Sequence, residues 1–223
     1  MRAIPGIPYQ FSDPALLQLA LSHRSIGKVN NERLEFLGDS ILNAVVSARL
    51  FELKPDNDEG ELSRFRARVV RGDTLAELAA ELKLGDYIKL GEGEMKSGGF
   101  NRDSILADAL EAILGAIYLD GGYEACAAAV LQICGPVIAS LPAVDELKDP
   151  KTRLQEWLQG RGHALPTYSL LSEEGPPHKK QFQVQCVESE SGIKVEGNGG
   201  SRQKAEQSAA AAALELIAGR LKK

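Results

Sequence analysis

Three carboxylates fall within eight positions of the segment NERLEFLGDS. They are Glu32, Glu35 and Asp39, and at about 100° per residue they occupy one narrow stripe of a helix whose other side carries Leu34 and Ile41. Like charges at i,i+4 destabilise a helix slightly, and a solvated charged face usually interleaves lysine or arginine. Neither lysine nor arginine lies on this stripe. Two interpretations therefore remain at this point, a solvated charged face and a cation-binding site.

A second segment, SILADALEAILGAIYL, carries two charged residues, Asp108 and Glu111. They lie three positions apart and so share one face of a helix that is otherwise apolar nearly all round, which predicts burial. An unpaired buried carboxylate costs several kcal/mol unless an arginine, a proton or a metal ion compensates it. Nearby arginines could pair with one or two of the five acids but not with all of them: Arg24, Arg33, Arg64 and Arg102.

Oxygen ligands without histidine or cysteine suit Mg²⁺ or Mn²⁺ better than zinc. Mg²⁺ held by carboxylates suits phosphoryl transfer, because it binds a phosphate oxygen, activates water and stabilises the leaving oxygen. No GxxxxGK[ST] phosphate loop occurs, so hydrolysis of nucleoside triphosphates is not supported. His23 is a candidate general base, but between Ser22 and Arg24 it is better interpreted as a residue that caps or braces a helix.

The spacing of the apolar residues divides the chain into two parts, and the acids lie in the first part. Residues 1–145 carry apolar residues at spacings of 3 and 4, broken by clusters rich in glycine and aspartate, which predicts an all-α domain. Residues 146–149 form a polar linker. Residues 150–223 predict a helix, three short strands and an alanine-rich helix, which is a small α+β domain of order α-β-β-β-α.

The charge divides unevenly between the two parts. A net charge of −5 over 223 residues argues weakly against a nucleic-acid partner. From Asp149 onward, however, 11 basic and 9 acidic residues give +2, against 15 and 22 before it, which give −7. Near the end, Arg202 and Lys204 occupy the first turn of a helix that Ser201 can cap. A helix start that is positive in both dipole and side chains favours phosphate binding over an ordinary surface helix.

The start of the chain has no signal-peptide pattern, and no uncharged apolar run reaches the roughly 18 residues of a membrane span. Three widely spaced cysteines are typical of free thiols in a reducing compartment. We therefore expect a cytoplasmic protein without a membrane partner.

The motifs NERLEFLGDSIL, LSHRS, DEGELSRFRA and SILADALEAILGAIYLDGG closely resemble the bacterial ribonuclease III catalytic domain. The resemblance covers nearly all of residues 10–145. It implies a homodimer that hydrolyses double-stranded RNA with Mg²⁺, for which Mn²⁺ can substitute. It also implies 5′-phosphate and 3′-hydroxyl products, and a role in the processing of ribosomal RNA precursors and mRNA and in RNA decay.

The same resemblance assigns roles by motif position. Asp39 and Glu111 would be the catalytic acids, and Glu32 and Glu59 accessory acids, although Glu61 stands close to Glu59 in the same motif. The metal-binding acids would be Glu35, Asp39, Asp108 and Glu111. Phe36 projects beside the acids and away from the apolar side of its helix, which suits an interface anchor, and the resemblance assigns it to a pocket of the other subunit.

Residues 150–223 resemble a double-stranded RNA-binding domain, which reads the shape of the A-form duplex with little sequence readout. By position, Thr152, Gln155 and Glu156 would face one minor groove and His178 the next. The residues at or near phosphates would be Lys179, Lys180, Arg202, Gln203 and Lys204.

Two rival functions are compatible with the pattern. One is a protein that binds duplex RNA without cutting it, which missing acids would favour; all six acids are present. The other is a metal-dependent hydrolase of small phosphates whose C-terminal domain is an unrelated adaptor.

Overall fold

The computed structural model describes residues 3–143, 148–176, 179–190 and 192–221, and the chain divides into two compact units, Met1–Pro142 and Ala143–Lys223. The helices of the first unit are α1 Pro14–Ala20, α2 Glu32–Leu53, α3 Glu59–Val70, α4 Gly72–Glu81, α5 Glu92–Lys96 and α6 Asp103–Ala139. The second unit has α7 Pro150–Gln159, β1 Thr167–Glu174, β2 Gln181–Glu188, β3 Ile193–Gly199 and α8 Arg202–Leu221. The predicted fold class is confirmed. Residues 146 and 147 of the predicted linker lie outside the described residues.

Helix α6 is the central helix of the first unit. Between Ile105 and Ile117 every residue is buried except Asp108 and Glu111, which are half-buried. This confirms that the two acids share one face of a core helix. By length and composition alone α6 could also cross a membrane, a property that core helices of soluble proteins share. A kink at Gly122, where φ is +80°, separates the two halves of the helix.

Helix α2 packs closely against α6 because neither helix has a side chain where they cross. A Cβ atom at Gly38 would lie 1.8 Å from the carbonyl oxygen of Glu111, and one at Gly115 would lie 2.2 Å from the carbonyl oxygen of Leu34. Glycine alone among the amino acids permits such an approach of two backbones. The crossing therefore places the acidic turn of one helix beside the acidic turn of the other.

The loop that precedes α2 is anchored by hydrogen bonds. The His23 N–H donates to the Lys89 carbonyl at 3.1 Å, and the Gly91 N–H donates to the Ser25 hydroxyl at 2.8 Å. His23 is 7% exposed, and its ring accepts a hydrogen bond from the Ser25 N–H, which caps the one-turn 3-10 helix that follows. The interpretation of His23 as a capping residue is confirmed, and the anchored loop fixes the backbone at Arg24.

The second unit is an antiparallel sheet of order β1-β2-β3 that packs against α7 and α8. Trp157 packs against its core. A Cβ atom at Gly197 would lie 2.1 Å from the Ala209 nitrogen, and one at Gly199 would lie 2.6 Å from the Ala205 nitrogen. These glycines let β3 lie against α8 and so fix the start of that helix. The core residues are Leu154, Leu158, Cys186, Ile193, Ala209, Ala210, Ala213 and Ile217.

The glycine crossing predicts a large effect of one methyl group. Gly38→Ala should lower the free energy of unfolding by about 3 kcal/mol or more, because the new Cβ meets backbone that cannot rotate away. Gly72→Ala is the control, since a Cβ at the first residue of α4 meets nothing within 4 Å, and it should change stability by about 0.5 kcal/mol or less. Urea denaturation followed by circular dichroism measures both, and equal stabilities of the two variants would contradict this account of the crossing.

Candidate metal centre and nucleic-acid interface

Three acids form a compact group, which we call the acid group: Glu35 from α2 and Asp108 and Glu111 from α6. Each can place one carboxylate oxygen within 4.8 Å of the others, and all three are half-buried. Oxygens that share one Mg²⁺ at about 2.1 Å can lie up to about 4.2 Å apart, so small side-chain adjustments bring this group to ligation distance. The donors are all carboxylate oxygens, which fits Mg²⁺ or Mn²⁺.

Glu111 is the most perturbed member of the acid group. Its pKa is raised to about 8, first by burial and then by the negative charges of Asp39, Glu35 and Asp108. The pKa of a carboxyl group rises in this way when its charged form lacks solvation and a positive partner. Near neutral pH the Glu111 carboxyl therefore holds a proton unless a cation replaces it.

The other two members share this environment. Burial is the main cause of the raised pKa of both Glu35 and Asp108. The positive charge of Arg24 acts in the opposite direction on both groups but does not cancel the effect. The acid group therefore carries more negative charge than its surroundings compensate, which favours a bound cation.

Asp39 borders the acid group without belonging to it. It lies one turn beyond Glu35 on α2, and its exposed carboxylate accepts a hydrogen bond from the Asn43 amide at 2.8 Å. After burial, its charge is the largest cause of the raised pKa of Glu111. The helical spacing of the acids could not have revealed this hydrogen bond.

The accessory candidates have different surroundings. Glu32 is exposed at the start of α2, 3.7 Å from Arg24. Glu59, exposed at the start of α3, accepts a hydrogen bond from the Ser63 hydroxyl at 2.9 Å. Glu61 instead belongs to the capping box of α3, where it accepts from the Asp58 N–H at 3.1 Å. Because capping uses the carboxylate of Glu61, the geometry favours Glu59 as the acid available to a ligand.

In the second unit, the start of α8 is a basic surface. The Ser201 hydroxyl accepts a hydrogen bond from the Lys204 N–H at 3.2 Å and so caps the helix, as predicted. Arg202, Gln203 and Lys204 are exposed in its first turn. Backbone N–H groups and two positive side chains at one helix end can hold a phosphate.

Most of the other predicted RNA-contacting residues are also exposed. Gln155, Glu156, Lys179 and Lys180 are exposed and Thr152 is half-buried, whereas His178 lies outside the described residues. Several take part in local interactions. Lys180 pairs with Glu173, Glu156 lies 2.6 Å from Lys148, and the Thr152 hydroxyl donates to Asp149 at 2.8 Å.

Two family models match the chain, a ribonuclease-III-like model over residues 13–136 and a double-stranded RNA binding motif over residues 150–217. The chain is 54% identical over 209 residues to Ribonuclease 3 of Pseudomonas aeruginosa, covering 94% of this chain and 91% of that protein. It is 55% identical over 211 residues to Ribonuclease 3 of Marinomonas sp., covering 95% and 93%.

A solved nuclease domain of ribonuclease III from Campylobacter jejuni is also similar to the chain. It has a TM-score of 0.58 and 42% identity, covering 60% of this chain and 97% of that one. That structure is described for its flexibility in a region involved in dimer formation.

The raised pKa of Glu111 predicts a pH-dependent effect on stability. Between the pKa of about 4.3 in the unfolded chain and the pKa of about 8 in the fold, the native state binds more protons, so this group lowers stability as pH rises. In EDTA, the Glu111→Gln variant should therefore have a higher melting temperature than the original chain. The difference in melting temperature should be larger at about pH 8.5 than at about pH 5.5. Glu92→Gln, at an exposed site on α5, should show no such trend. A gain for Glu111→Gln that is constant with pH would contradict the assigned pKa.

Proposed function

Because the chain belongs to the ribonuclease III family, we propose that it is a Mg²⁺-dependent endoribonuclease that hydrolyses double-stranded RNA and leaves 5′-phosphate and 3′-hydroxyl ends. The observation that carries the proposal is the acid group, assembled from two helices in a chain that also matches a double-stranded RNA binding motif. Its substrates would be ribosomal RNA precursors and mRNA in the cytoplasm, with roles in processing and decay.

When bound, Mg²⁺ supplies the Lewis acidity that makes water a nucleophile at neutral pH and stabilises charge on the phosphate, and Mn²⁺ can substitute. Glu35, Asp108 and Glu111 would hold the ion, with Asp39 as a further ligand. Because the Glu111 carboxyl holds a proton near neutral pH, that proton must leave when the ion binds, which couples metal binding to proton release. We propose that Asp39 and Glu111 are the most critical acids and that Glu32 and Glu59 assist.

The rival functions explain less of the molecule. A protein that only binds duplex RNA has no need of a half-buried acid group whose charges raise one another's pKa. A hydrolase of small phosphates has no need of a capped, basic helix start in a second unit.

We assign the two functions to two domains, residues 1–145 for catalysis and 150–223 for RNA binding, joined by a linker at 146–149. The two compact units and the ranges of the two family models support this division. On the RNA-binding domain, Thr152, Gln155 and Glu156 of α7 would face one minor groove and His178 the next. The residues proposed at phosphates are Lys179, Lys180, Arg202, Gln203 and Lys204.

We propose that the catalytic domain is a homodimer in which Phe36 anchors the interface. Phe36 is 77% exposed, although it follows Glu35 of the acid group on α2, and an aromatic ring in water favours burial by a partner. A cavity of about 570 Å³ lies near the same turn of α2 and could accept the ring from the other subunit; its apolar lining residues are Leu16, Leu19, Val29, Leu34, Leu37 and Leu119. A two-fold dimer would carry two acid groups, one for each RNA strand.

Loss of one ligand should separate cleavage from binding. Glu111→Gln and Asp39→Asn should each cut labelled duplex RNA in Mg²⁺ at least about a hundredfold more slowly, the scale seen on loss of a group that stabilises charge in the transition state. Both should bind the duplex normally, and EDTA should stop the original chain.

Glu92→Gln serves as the control and should cut at the original rate. Normal turnover in either variant would contradict the assigned roles, and hydrolysis of a nucleoside monophosphate instead of duplex RNA would favour the rival hydrolase.

The interface proposal predicts that Phe36→Ala weakens the dimer by about tenfold or more, because a central aromatic anchor carries much of the binding energy of an interface. Analytical ultracentrifugation over a range of concentrations measures this. Met95→Ala removes another exposed apolar side chain, on α5, and should leave the dimer unchanged. Two variants that dissociate alike, or an original chain that is monomeric, would overturn the assignment.

A further inference from the structure

Arg24 lies beside the acid group, where it lines the same cavity as Glu35 and Asp108. The Arg24 side chain is 71% exposed, and its Nη1 lies 3.7 Å from the nearest Glu32 oxygen, beyond hydrogen-bond length. Within residues 3–143 the structure shows no hydrogen bond from this guanidinium, whereas Arg102 lies 2.6 Å from Glu94. A guanidinium offers five N–H donors in a planar fork, and those of Arg24 are available to an anion.

Arg24 and two members of the acid group, Glu35 and Asp108, line the same space. A polar cavity of about 150 Å³ lies between them, large enough for about five water molecules at roughly 30 Å³ each. Arg24 is also close enough to both Glu35 and Asp108 for its charge to act on them. The residues that line the cavity are His23, Arg24, Asn31, Glu32, Glu35 and Asp108.

The backbone at Arg24 is held in place. The buried His23 ring caps the 3-10 turn that contains Arg24, and the Ser25 hydroxyl accepts from the Gly91 N–H. A Cβ atom at Gly91 would lie 2.4 Å from the Ser25 carbonyl oxygen, so the two segments are in direct backbone contact. This support fixes the point at which the Arg24 side chain leaves the backbone, beside the acid group.

Neutralisation of the acids is the other role that an arginine could have here. An arginine that serves this purpose usually grips a carboxylate with two parallel hydrogen bonds. Arg24 instead makes one long, solvent-exposed pair, and such pairs contribute little to stability. A phosphate group, by contrast, matches the free fork in shape and charge.

We propose that Arg24 binds a backbone phosphate of the RNA strand that enters the acid group, a substrate contact that rests on the proposed function. RNA must bring several negative phosphates past a cluster of carboxylates, and a metal ion on the acid group offsets only part of that repulsion. A guanidinium at the mouth offsets more of it and orients the strand before cleavage. Arg24 would then contribute to RNA affinity as well as to the rate of cleavage.

The test measures binding without cleavage, in the full chain carrying Glu111→Gln and in Mg²⁺. Adding Arg24→Ala should weaken the binding of a fluorescent duplex RNA about tenfold, as expected on loss of a hydrogen bond to a charged group. The slope of log affinity against log salt should become shallower by about 1 for each phosphate that the protein no longer neutralises. Arg24→Lys should recover part of the affinity, because lysine keeps the charge but not the fork.

Arg49→Ala is the matched control. Arg49 lies on α2 about 21 Å along the helix from Glu35, at 1.5 Å per residue, and pairs with Glu52 at 3.2 Å. This variant should bind RNA with unchanged affinity and salt slope. Arg24→Gln is a second charge-removing variant, and thermal melting of each protein establishes that it is folded.

The outcomes separate this role from the proposed function. If the original chain cuts duplex RNA but both charge-removing variants bind it with the original affinity and slope, the phosphate contact is wrong and the nuclease stands. Under that outcome, a changed Mn²⁺ affinity of Arg24→Ala without RNA, measured by electron paramagnetic resonance, would show that Arg24 acts on the acids instead. If the original chain does not cut duplex RNA in Mg²⁺, the proposed function fails, and the role of Arg24 with it.

Discussion

The crossing of α2 and α6 at Gly38 and Gly115 is the contact on which the site depends. The two backbones approach so closely that a single methyl group on either glycine would overlap a carbonyl oxygen of the other helix. Since a helix carries side chains three and four positions apart on one face, this contact sets carboxylates of both helices side by side. An alanine at either position would push the helices apart and separate the acids.

The acids brought together in this way are unfavourable for the fold on their own. Burial and mutual repulsion raise the pKa of Glu111 to about 8, and Arg24 offsets only part of the effect on its neighbours. The hydrophobic packing of α6 therefore holds the carboxylates closer together than their mutual repulsion favours. A bound divalent cation would offset this repulsion. The chain belongs to the ribonuclease III family, and we propose that the affinity of the acid group for a cation is the basis of Mg²⁺-dependent RNA hydrolysis.

Much of this arrangement was predictable from local pattern. The two acids in an otherwise apolar segment predicted a core helix with one polar face, and the change of periodicity after the linker predicted the α-β-β-β-α order of the second unit. The glycine crossing was not predictable, because it joins positions more than 70 residues apart and depends on the register of two packed helices. For the same reason the sequence placed Arg24 only as a possible partner of the acids. The hydrogen bond between Asn43 and Asp39 lies within one helix and depends on side-chain rotamers, which the spacing of the residues does not specify.

The central claim is that carboxylates from α2 and α6 bind one divalent ion between them. Anomalous diffraction from crystals grown with Mn²⁺ tests it most directly. The claim requires a peak about 2.1 Å from oxygens of Glu35, Asp108 and Glu111. Crystals with Mn²⁺ bound elsewhere, and with these three carboxylates hydrogen-bonded to one another through shared protons, would contradict it.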